Sequence, residues 1–326
     1  MRNRRPGALA WRARPRSDAR DVAAGAHMRA GTRFDWGRIA VIGPPYLWLL
    51  AFFAAPFLIV LKISFSEPVV AQPPYAPTWD DWGAVADYFA NLNVGNYLFL
   101  FEDPLYVSTY LSSVRIALTA TALTLLVGYP MAYAMARAPR RWRGALLMAV
   151  ILPFWTSFLI RVYAWIGILK RDGLLNLLLE NLGLISEPLV IHNTQIAVYV
   201  GIVYSYLPFM VLPLYSTLEK MDHALLEAAA DLGCRPWRAF WRITVPLSLP
   251  GVAAGCFLVF IPAVGEFVIP QLLGGADTLM IGKTLWNEFF SNRDWPLASA
   301  VAVVLLIVLV APIMVFQRMA NRAGAG

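Results

Sequence analysis

The sequence predicts an all-α, polytopic membrane protein with six transmembrane helices. Of its 326 residues, 59% are hydrophobic and only 14% are charged, whereas soluble domains are about 45–50% apolar and about 25% charged. Six apolar runs are long enough to cross a bilayer, for which a helix needs roughly 20 residues. No segment alternates polar and apolar residues with a period of two, as the strands of a membrane β-barrel do.

The predicted spans are spread along the whole chain, and prolines interrupt several of them. Membrane helices tolerate internal proline better than soluble helices do. The sixth span is the most uniform, since Val301 to Val310 contains no polar residue. The second and third spans each contain one arginine, Arg115 and Arg161 respectively. In chain order, the predicted spans are residues 39–63, 109–136, 145–169, 194–218, 248–270 and 297–317.

Basic residues are distributed unevenly between the two sets of loops. The segments on the side of the two termini carry 20 of the 27 Lys and Arg residues, and the opposite loops carry four. Because cytoplasmic loops are enriched in Lys and Arg, both termini are predicted to be cytoplasmic. This topology also explains the net charge of +7 without a nucleic-acid partner.

Three regions follow from this topology. Residues 1–38 form a basic cytoplasmic segment with ten arginines, and this composition predicts disorder. Residues 39–318 form the transmembrane domain, and residues 319–326 form a cytoplasmic tail. The first apolar run lacks an evident small-residue cleavage site, so it is interpreted as a retained helix rather than a signal peptide.

The predicted outer loops are acidic, with twelve Asp and Glu residues against four basic ones. Such a surface would raise the local concentration of a cationic ligand. Alternatively, acids are simply what remains once the basic residues are kept inside. The twelve acids are Glu67, Asp80, Asp81, Asp87, Glu102, Asp103, Asp172, Glu180, Glu187, Asp277, Glu288 and Asp294.

The predicted cytoplasmic loop 219–247 contains two short helices joined by a bend. Asp222 is a good N-cap, because its carboxylate can accept a hydrogen bond from a first-turn amide. Ala224 to Leu232 has strong helix propensity, and Gly233 can take the left-handed conformation that ends a helix. Pro236 suits the first turn of a second helix.

This loop resembles the EAA loop of ABC importer permeases, in which it is the coupling element and sits in a cleft of the ATPase subunit. The resemblance implies an ABC type I importer permease fold. Small alanines would permit close approach of a partner backbone, and a carboxylate could pair with a basic group. The alternative is an ordinary amphipathic helix on the membrane surface. The residues assigned to ATPase coupling are Glu227, Ala228, Ala229, Asp231, Gly233, Ile243 and Pro246.

The resemblance extends over residues 40–318 and is greatest to the permeases of polyamine importers, in particular the putrescine type. It is carried by LPFWTSFLIRVYAW at 152–165, FIPAVGEFVIPQLLGG at 260–275 and NRDWP at 292–296. The implied function is a permease subunit that forms the path for a polyamine such as putrescine or spermidine.

The same resemblance implies partners and a location. The family acts in the bacterial inner membrane as two homologous permeases, two copies of an ATPase and a periplasmic substrate-binding protein. ATP and Mg²⁺ are therefore expected in the ATPase, and this chain is expected to bind no cofactor and to catalyse no reaction itself.

Glu266 is the only acidic residue inside a predicted span. It would lie about four residues, or roughly 6 Å, from the outer end of span five, where a carboxylate could pair with an amine cation. Alternatively, it forms a buried ion pair with Arg161 that only fixes packing. Aromatic rings could add cation–π attraction to the path, although aromatics near span ends are commonly interfacial anchors. The aromatic candidates are Trp155, Tyr163, Trp165 and Trp286.

Other functional classes find less support in the sequence. Gly282-Lys283-Thr284 imitates the end of a P-loop, but Asp277 stands where that motif needs a glycine. The three histidines are scattered and give no metal-ligand spacing. A secondary transporter driven by an ion gradient remains an alternative, although such proteins often carry midplane carboxylates. Another alternative is an ABC permease for a different small solute, such as an inorganic anion or iron.

Overall fold

The computed structural model of the protein describes residues 36–78 and 92–323. These residues are largely helical, and their only β-structure is one hairpin of two-residue strands. The chain divides into two compact units, Met1–Pro56 and Phe57–Gly326. The predicted all-α class is confirmed.

Several sequence predictions concern residues outside the described ranges. They include the disorder of residues 1–35 and the last three residues of the predicted tail. Three acids of the first predicted outer loop, Asp80, Asp81 and Asp87, also lie outside the described residues.

The first unit contains helix α1, Trp36–Leu49, and a π turn at Leu50–Ala54. Helix α2, Ala55–Ile63, follows directly, and its residues from Phe57 onward belong to the second unit. Ala40–Ile63 is a helix of 24 residues with a mean hydropathy of 2.1, which is long and apolar enough to cross a bilayer. It matches the first predicted span.

The second unit continues with two short strands, β1 at Glu67–Pro68 and β2 at Tyr75–Ala76, which pair antiparallel. Its helices after α2 are α3 Gly95–Glu102, α4 Pro104–Arg137, α5 Arg140–Ile151, α6 Phe158–Leu169, α7 Leu174–Asn181, α8 Gln195–Glu219, α9 Ala224–Asp231, α10 Pro236–Ala239, α11 Val245–Val264, α12 Val268–Leu272, α13 Ile281–Trp286 and α14 Trp295–Ala323. Three other helical turns are the 3₁₀ turn Leu152–Trp155 and the π turns Phe240–Thr244 and Asn287–Asn292.

Local signals explain where the longest helix, α4, begins and ends. The Asp103 carboxylate accepts a hydrogen bond of 2.8 Å from the Leu105 amide, and Pro104 occupies the first turn, where no amide partner is needed. The helix ends at Arg137, because Ala138 precedes Pro139 and takes an extended backbone. This stop produces the tight turn into α5.

The core of the second unit is formed by α4, α8 and α11. Met210 of α8 is fully buried and packs between two glycines. A Cβ on Gly255 would lie 2.7 Å from the Met210 sulfur, and a Cβ on Gly128 would lie 3.0 Å from its Cγ. Small residues let membrane helices approach closely where no hydrophobic effect drives them together.

Four described helices are long and apolar enough to span a membrane, and there are five if one bent pair counts as a single span. The sixth predicted span falls in α14. The apolar part of this helix that the structure describes, Trp295–Ala311, is shorter than the four spanning helices. The polytopic architecture is confirmed, whereas the count of six is met only in part. The four long helices are Ala40–Ile63, Pro104–Arg137, Gln195–Glu219 and Pro236–Val264.

The third predicted span, residues 145–169, is broken rather than continuous. Arg140–Trp155 and Phe158–Asn181 are bent by 92° relative to each other. Pro153 supplies no amide hydrogen to the helical ladder, and Thr156 leaves the helix with an extended backbone, ψ 152°. The Thr156 hydroxyl donates a hydrogen bond of 2.7 Å to the Pro153 carbonyl oxygen, which closes the turn.

The fifth predicted span, residues 248–270, is also corrected. Its helix begins earlier, at Pro236, and ends at Val264. Gly265 terminates α11, and Phe267 precedes the short helix α12 with φ −124°. Glu266 therefore lies in the connection between two helices and not inside a span.

Candidate coupling surface and translocation path

Helix α9 starts one residue later than predicted, because its N-cap is His223 and Asp222 precedes the cap. The Asp222 carboxylate Oδ1 accepts a hydrogen bond of 2.9 Å from the Ala224 amide. This bond satisfies one of the amides that a helix leaves unpaired in its first turn. The acceptor, the Asp222 carboxylate, is only two residues away from the Ala224 amide, so this contact does not depend on a distant part of the chain.

Helix α9 ends as predicted, at a glycine with a left-handed backbone. Gly233 has φ +73°, its amide donates to the Ala230 carbonyl at 2.8 Å, and the Cys234 amide donates to the Ala229 carbonyl at 2.9 Å. This pair of bonds is the Schellman arrangement. Pro236 then opens α10, so the predicted bend between two short helices is confirmed.

The bent element presents a mixed polar and apolar surface. Glu227 and Ala228 are exposed, and Ala229 is buried beneath them. Leu232 is 88% exposed and Trp237 is 70% exposed. Large apolar side chains on a charged surface are typical of a protein interaction site. Of the other predicted coupling residues, Asp231, Gly233 and Pro246 are exposed and Ile243 is half-buried.

An ion pair ties the turn between α4 and α5 to the end of α8. Arg143 Nη1 lies 3.2 Å from Glu219 Oε1, and Arg143 Nε donates to the Ala138 carbonyl at 2.9 Å. Exposed pairs of this kind contribute little to stability. The pair nevertheless places the α4–α5 turn beside the start of the coupling loop.

Both carboxylate oxygens of Glu266 accept hydrogen bonds from other residues of the chain. Its Oε1 accepts hydrogen bonds from the amides of Val268, at 3.0 Å, and Ile269, at 3.3 Å. Its Oε2 accepts a short hydrogen bond from the Tyr206 hydroxyl. The side chain therefore caps α12 and joins it to α8, and the residue is only 8% exposed.

The predicted ion pair between Arg161 and Glu266 does not form. The Arg161 guanidinium lies over the rings of Phe154, at 4.9 Å, and Phe158, at 5.8 Å. Its Nε and Nη1 atoms are buried and have no hydrogen-bond partner among the described residues. The bend after Trp155 folds the arginine back over the preceding turn, where aromatic faces replace the carboxylate.

The four predicted aromatic residues differ in what they contact. Trp286 stacks on Phe267, the neighbour of Glu266, with ring centroids 4.3 Å apart and an interplanar angle of 10°. Trp165 packs against Tyr204 at 5.3 Å. Trp155 and Tyr163 are 74% and 58% exposed on either side of the bend. Only Trp286 is thereby connected to Glu266.

Two residues of this site have no predictive signal in the sequence. Tyr206 binds Glu266 from 60 positions away, and nothing local marks it. Gly282 lies against the Gly265–Glu266 backbone, where a Cβ would lie 2.7 Å from the Glu266 carbonyl oxygen. The triplet that imitates a P-loop thus contains a packing glycine.

An apolar cavity of about 390 Å³ lies between α4, α5 and α8. It has almost no polar lining, so it offers space for side-chain rearrangement but no ligand for a cation. Its lining residues are Met131, Ala134, Met135, Leu146, Ala149, Val150, Pro153, Tyr204, Leu207 and Pro208.

Comparison with protein families gives one match, over residues 124–323, to the family described as binding-protein-dependent transport system inner membrane component. The spermidine/putrescine transport system permease protein PotB of Haemophilus influenzae is 41% identical over 287 residues, covering 88% of this chain and 94% of that protein. PotB of Escherichia coli is 42% identical over 271 residues, covering 83% and 93%.

The crystal structure of a bacterial alginate ABC transporter, in complex with a pentasaccharide-bound periplasmic protein, contains a similar chain. The TM-score is 0.64 at 18% identity, and the alignment covers 89% of this chain and 95% of that one. At this identity the likeness concerns the fold alone.

Proposed function

This chain belongs to the family of binding-protein-dependent transport system inner membrane components, and from that premise we propose that it forms the path for a polyamine, such as putrescine or spermidine. It is a transport subunit and not an enzyme. The observation that carries the choice of cargo is the 41–42% identity, over nearly the full length of both chains, to two permeases named for spermidine and putrescine.

The charge of the predicted outer loops supports a cationic cargo. Six of their acids lie in the two loops around residues 170–193 and 271–296, against four basic residues there. Asp294 and Glu288 lie close enough for their negative charges to interact. Negative charge held in proximity attracts cations and favours their entry.

The partners we propose are those that the coupling element requires. An ATPase dimer, which holds ATP and Mg²⁺, receives the exposed surface around Glu227, and a periplasmic binding protein delivers the cargo on the opposite side. A second, homologous permease completes the path. Both termini are then cytoplasmic, in agreement with the 20 basic residues on that side.

In the proposed cycle, the loaded binding protein docks on the acidic outer side of the permease pair. ATP binding closes the ATPase dimer and draws the coupling loops together, which turns the path from inward-facing to outward-facing. The cargo enters, and hydrolysis resets the path. The residues that transmit this motion are Glu227, Ala228, Ala229, Asp231, Gly233, Ile243 and Pro246.

In this proposal Glu266 lines the path, and its carboxylate binds an amine of the cargo. Its neighbour Phe267 stacks on Trp286, whose ring centroid also lies 4.1 Å from that of Phe290 and which is 40% exposed. A cluster of aromatic rings, the type of side chain that attracts an ammonium group, therefore lies beside the charge. To bind a cargo amine, the Glu266 carboxylate exchanges its Tyr206 hydroxyl for the ammonium. Trp155, Tyr163 and Trp165 are proposed as further path residues.

Replacing Glu266 by Gln is expected to raise the putrescine concentration for half-maximal uptake about tenfold, equal to roughly 1.4 kcal/mol. Gln removes the charge but keeps an oxygen that can accept from the Val268 and Ile269 amides. Concentration-dependent uptake into proteoliposomes measures the effect. Tyr206→Phe is the control, because it removes the other partner and leaves the carboxylate charged. Unchanged affinity and rate in Glu266→Gln would exclude the residue from the path.

The cargo and energy source are tested together on the complete transporter in vesicles. We expect ATP-dependent uptake of radiolabelled putrescine or spermidine, competed by the other polyamine and not by molybdate, iron or a neutral sugar. Uptake should persist after the ion gradients are collapsed, because ATP is the proposed energy source. Loss of uptake with the gradient would identify a secondary transporter, and competition by a non-amine would reject the polyamine assignment.

A further inference from the structure

The second half of the coupling loop contacts helix α4 through the aromatic ring of Phe240. Phe240 opens the π turn Phe240–Thr244 and meets two tyrosines of α4 edge to face. Its ring centroid lies 5.4 Å from that of Tyr133, at 83°, and 5.8 Å from that of Tyr129, at 88°. Edge-to-face pairs contribute attraction beyond the area they bury.

Neighbouring contacts keep each side of this junction in place. The Tyr129 hydroxyl is hydrogen-bonded to the Ser248 hydroxyl at 2.9 Å, and the Arg137 guanidinium lies 4.8 Å above the Tyr133 ring. On the loop side, Trp237 stacks on Phe240 at 6.1 Å. Phe240 is thus in contact with the exposed docking surface through Trp237 and with α4 through the two tyrosines.

The same turns of α4 form a wall of the apolar cavity. Met131, Ala134 and Met135 line it. At 100° per residue, these three side chains lie on the opposite side of the helix from Tyr129 and Tyr133. On the side away from Phe240, this part of α4 therefore borders a space of about 390 Å³ into which it could move.

The π turn itself is suited to movement. The hydroxyl of Thr244, its last residue, is buried and has no hydrogen-bond partner among the described residues. A buried unpaired hydroxyl costs free energy, and single π turns inside helices are frequent at functional sites. The junction between the loop and α11 thus carries a local free-energy cost that another conformation of the Thr244 side chain or of the turn could relieve.

We infer that Phe240 is a positioning residue that transmits motion of the coupling element to the cavity wall of α4. The inference rests on the proposed function, in which an ATPase moves the α9–α10 element. Without Phe240, the loop would lose this direct contact with α4 and would act on α4 only through α11, with which it forms one continuous helix. The ATPase would then dock and hydrolyse ATP, but the inner half of α4 would follow the motion of the loop less closely.

The test compares putrescine uptake with ATP hydrolysis in proteoliposomes containing the complete transporter. In Phe240→Ala, we expect the ATPase to copurify at the wild-type level and uptake per ATP to fall about tenfold, because each aromatic pair contributes a factor of roughly 2 to 10 to an equilibrium. Phe240→Tyr should restore the ratio. If Phe240→Ala inserts poorly, Tyr133→Leu, which leaves the loop intact, carries the same expectation.

Phe289→Ala is the matched control, because it makes the same change in the other π turn of this unit; its uptake per ATP should equal that of the wild type. Unchanged uptake per ATP in Phe240→Ala, or loss of the copurifying ATPase, overturns the inference. Absence of ATP-driven putrescine uptake in the wild-type transporter instead overturns the proposed function, so the two failures are distinguishable.

Discussion

Glu227→Lys is expected to leave the subunit inserted in the membrane and to lower ATP-driven uptake at least about thirtyfold. The side chain is exposed on α9, so its replacement removes no buried contact. In the proposed complex, however, the carboxylate pairs with a basic group of the ATPase, and breaking such a pair costs roughly 2–5 kcal/mol. Uptake and copurification of the ATPase are measured on the same preparation.

Arg140→Glu reverses a charge at an exposed position of α5, which the proposed topology places on the same side of the membrane, and should transport normally. Changes at Gly233 test the geometry of the same element. Gly233→Pro cannot adopt φ +73° and loses the amide bond to Ala230, so it should uncouple hydrolysis from uptake. Gly233→Ala should lose only part of the activity, since a left-handed alanine costs about 1–2 kcal/mol. Normal uptake in both Glu227→Lys and Gly233→Pro would remove the coupling assignment.

Gly282→Ala is expected to destabilise the second unit by about 1–3 kcal/mol, as overpacking of a tight site does. The added Cβ would overlap the Gly265 carbonyl oxygen and lie 2.7 Å from that of Glu266. Both are backbone atoms, so no flexible side chain can move aside. We expect a lower midpoint of thermal unfolding in detergent and a smaller monodisperse fraction after heating.

Gly167→Ala is the control for this substitution. No atom lies within 4 Å of a Cβ built on Gly167, and alanine favours the helix over glycine by roughly 1 kcal/mol. Its unfolding midpoint should equal or exceed that of the wild type. If the two alanine variants unfolded at the same temperature, the close packing of α13 on the Gly265–Glu266 connection would not be a determinant of stability.

Features that depend on neighbouring residues were predictable. Asp222, Gly233 and Pro236 each act within two to five residues of their own position, so their types alone specify the start, bend and restart of the coupling element. The membrane class follows equally directly from the length and apolar content of the runs. The break in the third span was harder to foresee, because membrane helices often retain an internal proline such as Pro153.

Hydropathy and helix ends are local properties, so the order of the amino acids was enough to predict a polytopic helical protein with a bent element in a basic loop. The packing of the helices was needed to show that Glu266 binds Tyr206 and not Arg161. It alone placed Phe240 against Tyr133, 107 positions away. Contacts of this kind form when helices that are distant in the sequence pack together. Neither periodicity nor helix propensity predicts which of their side chains will be in contact.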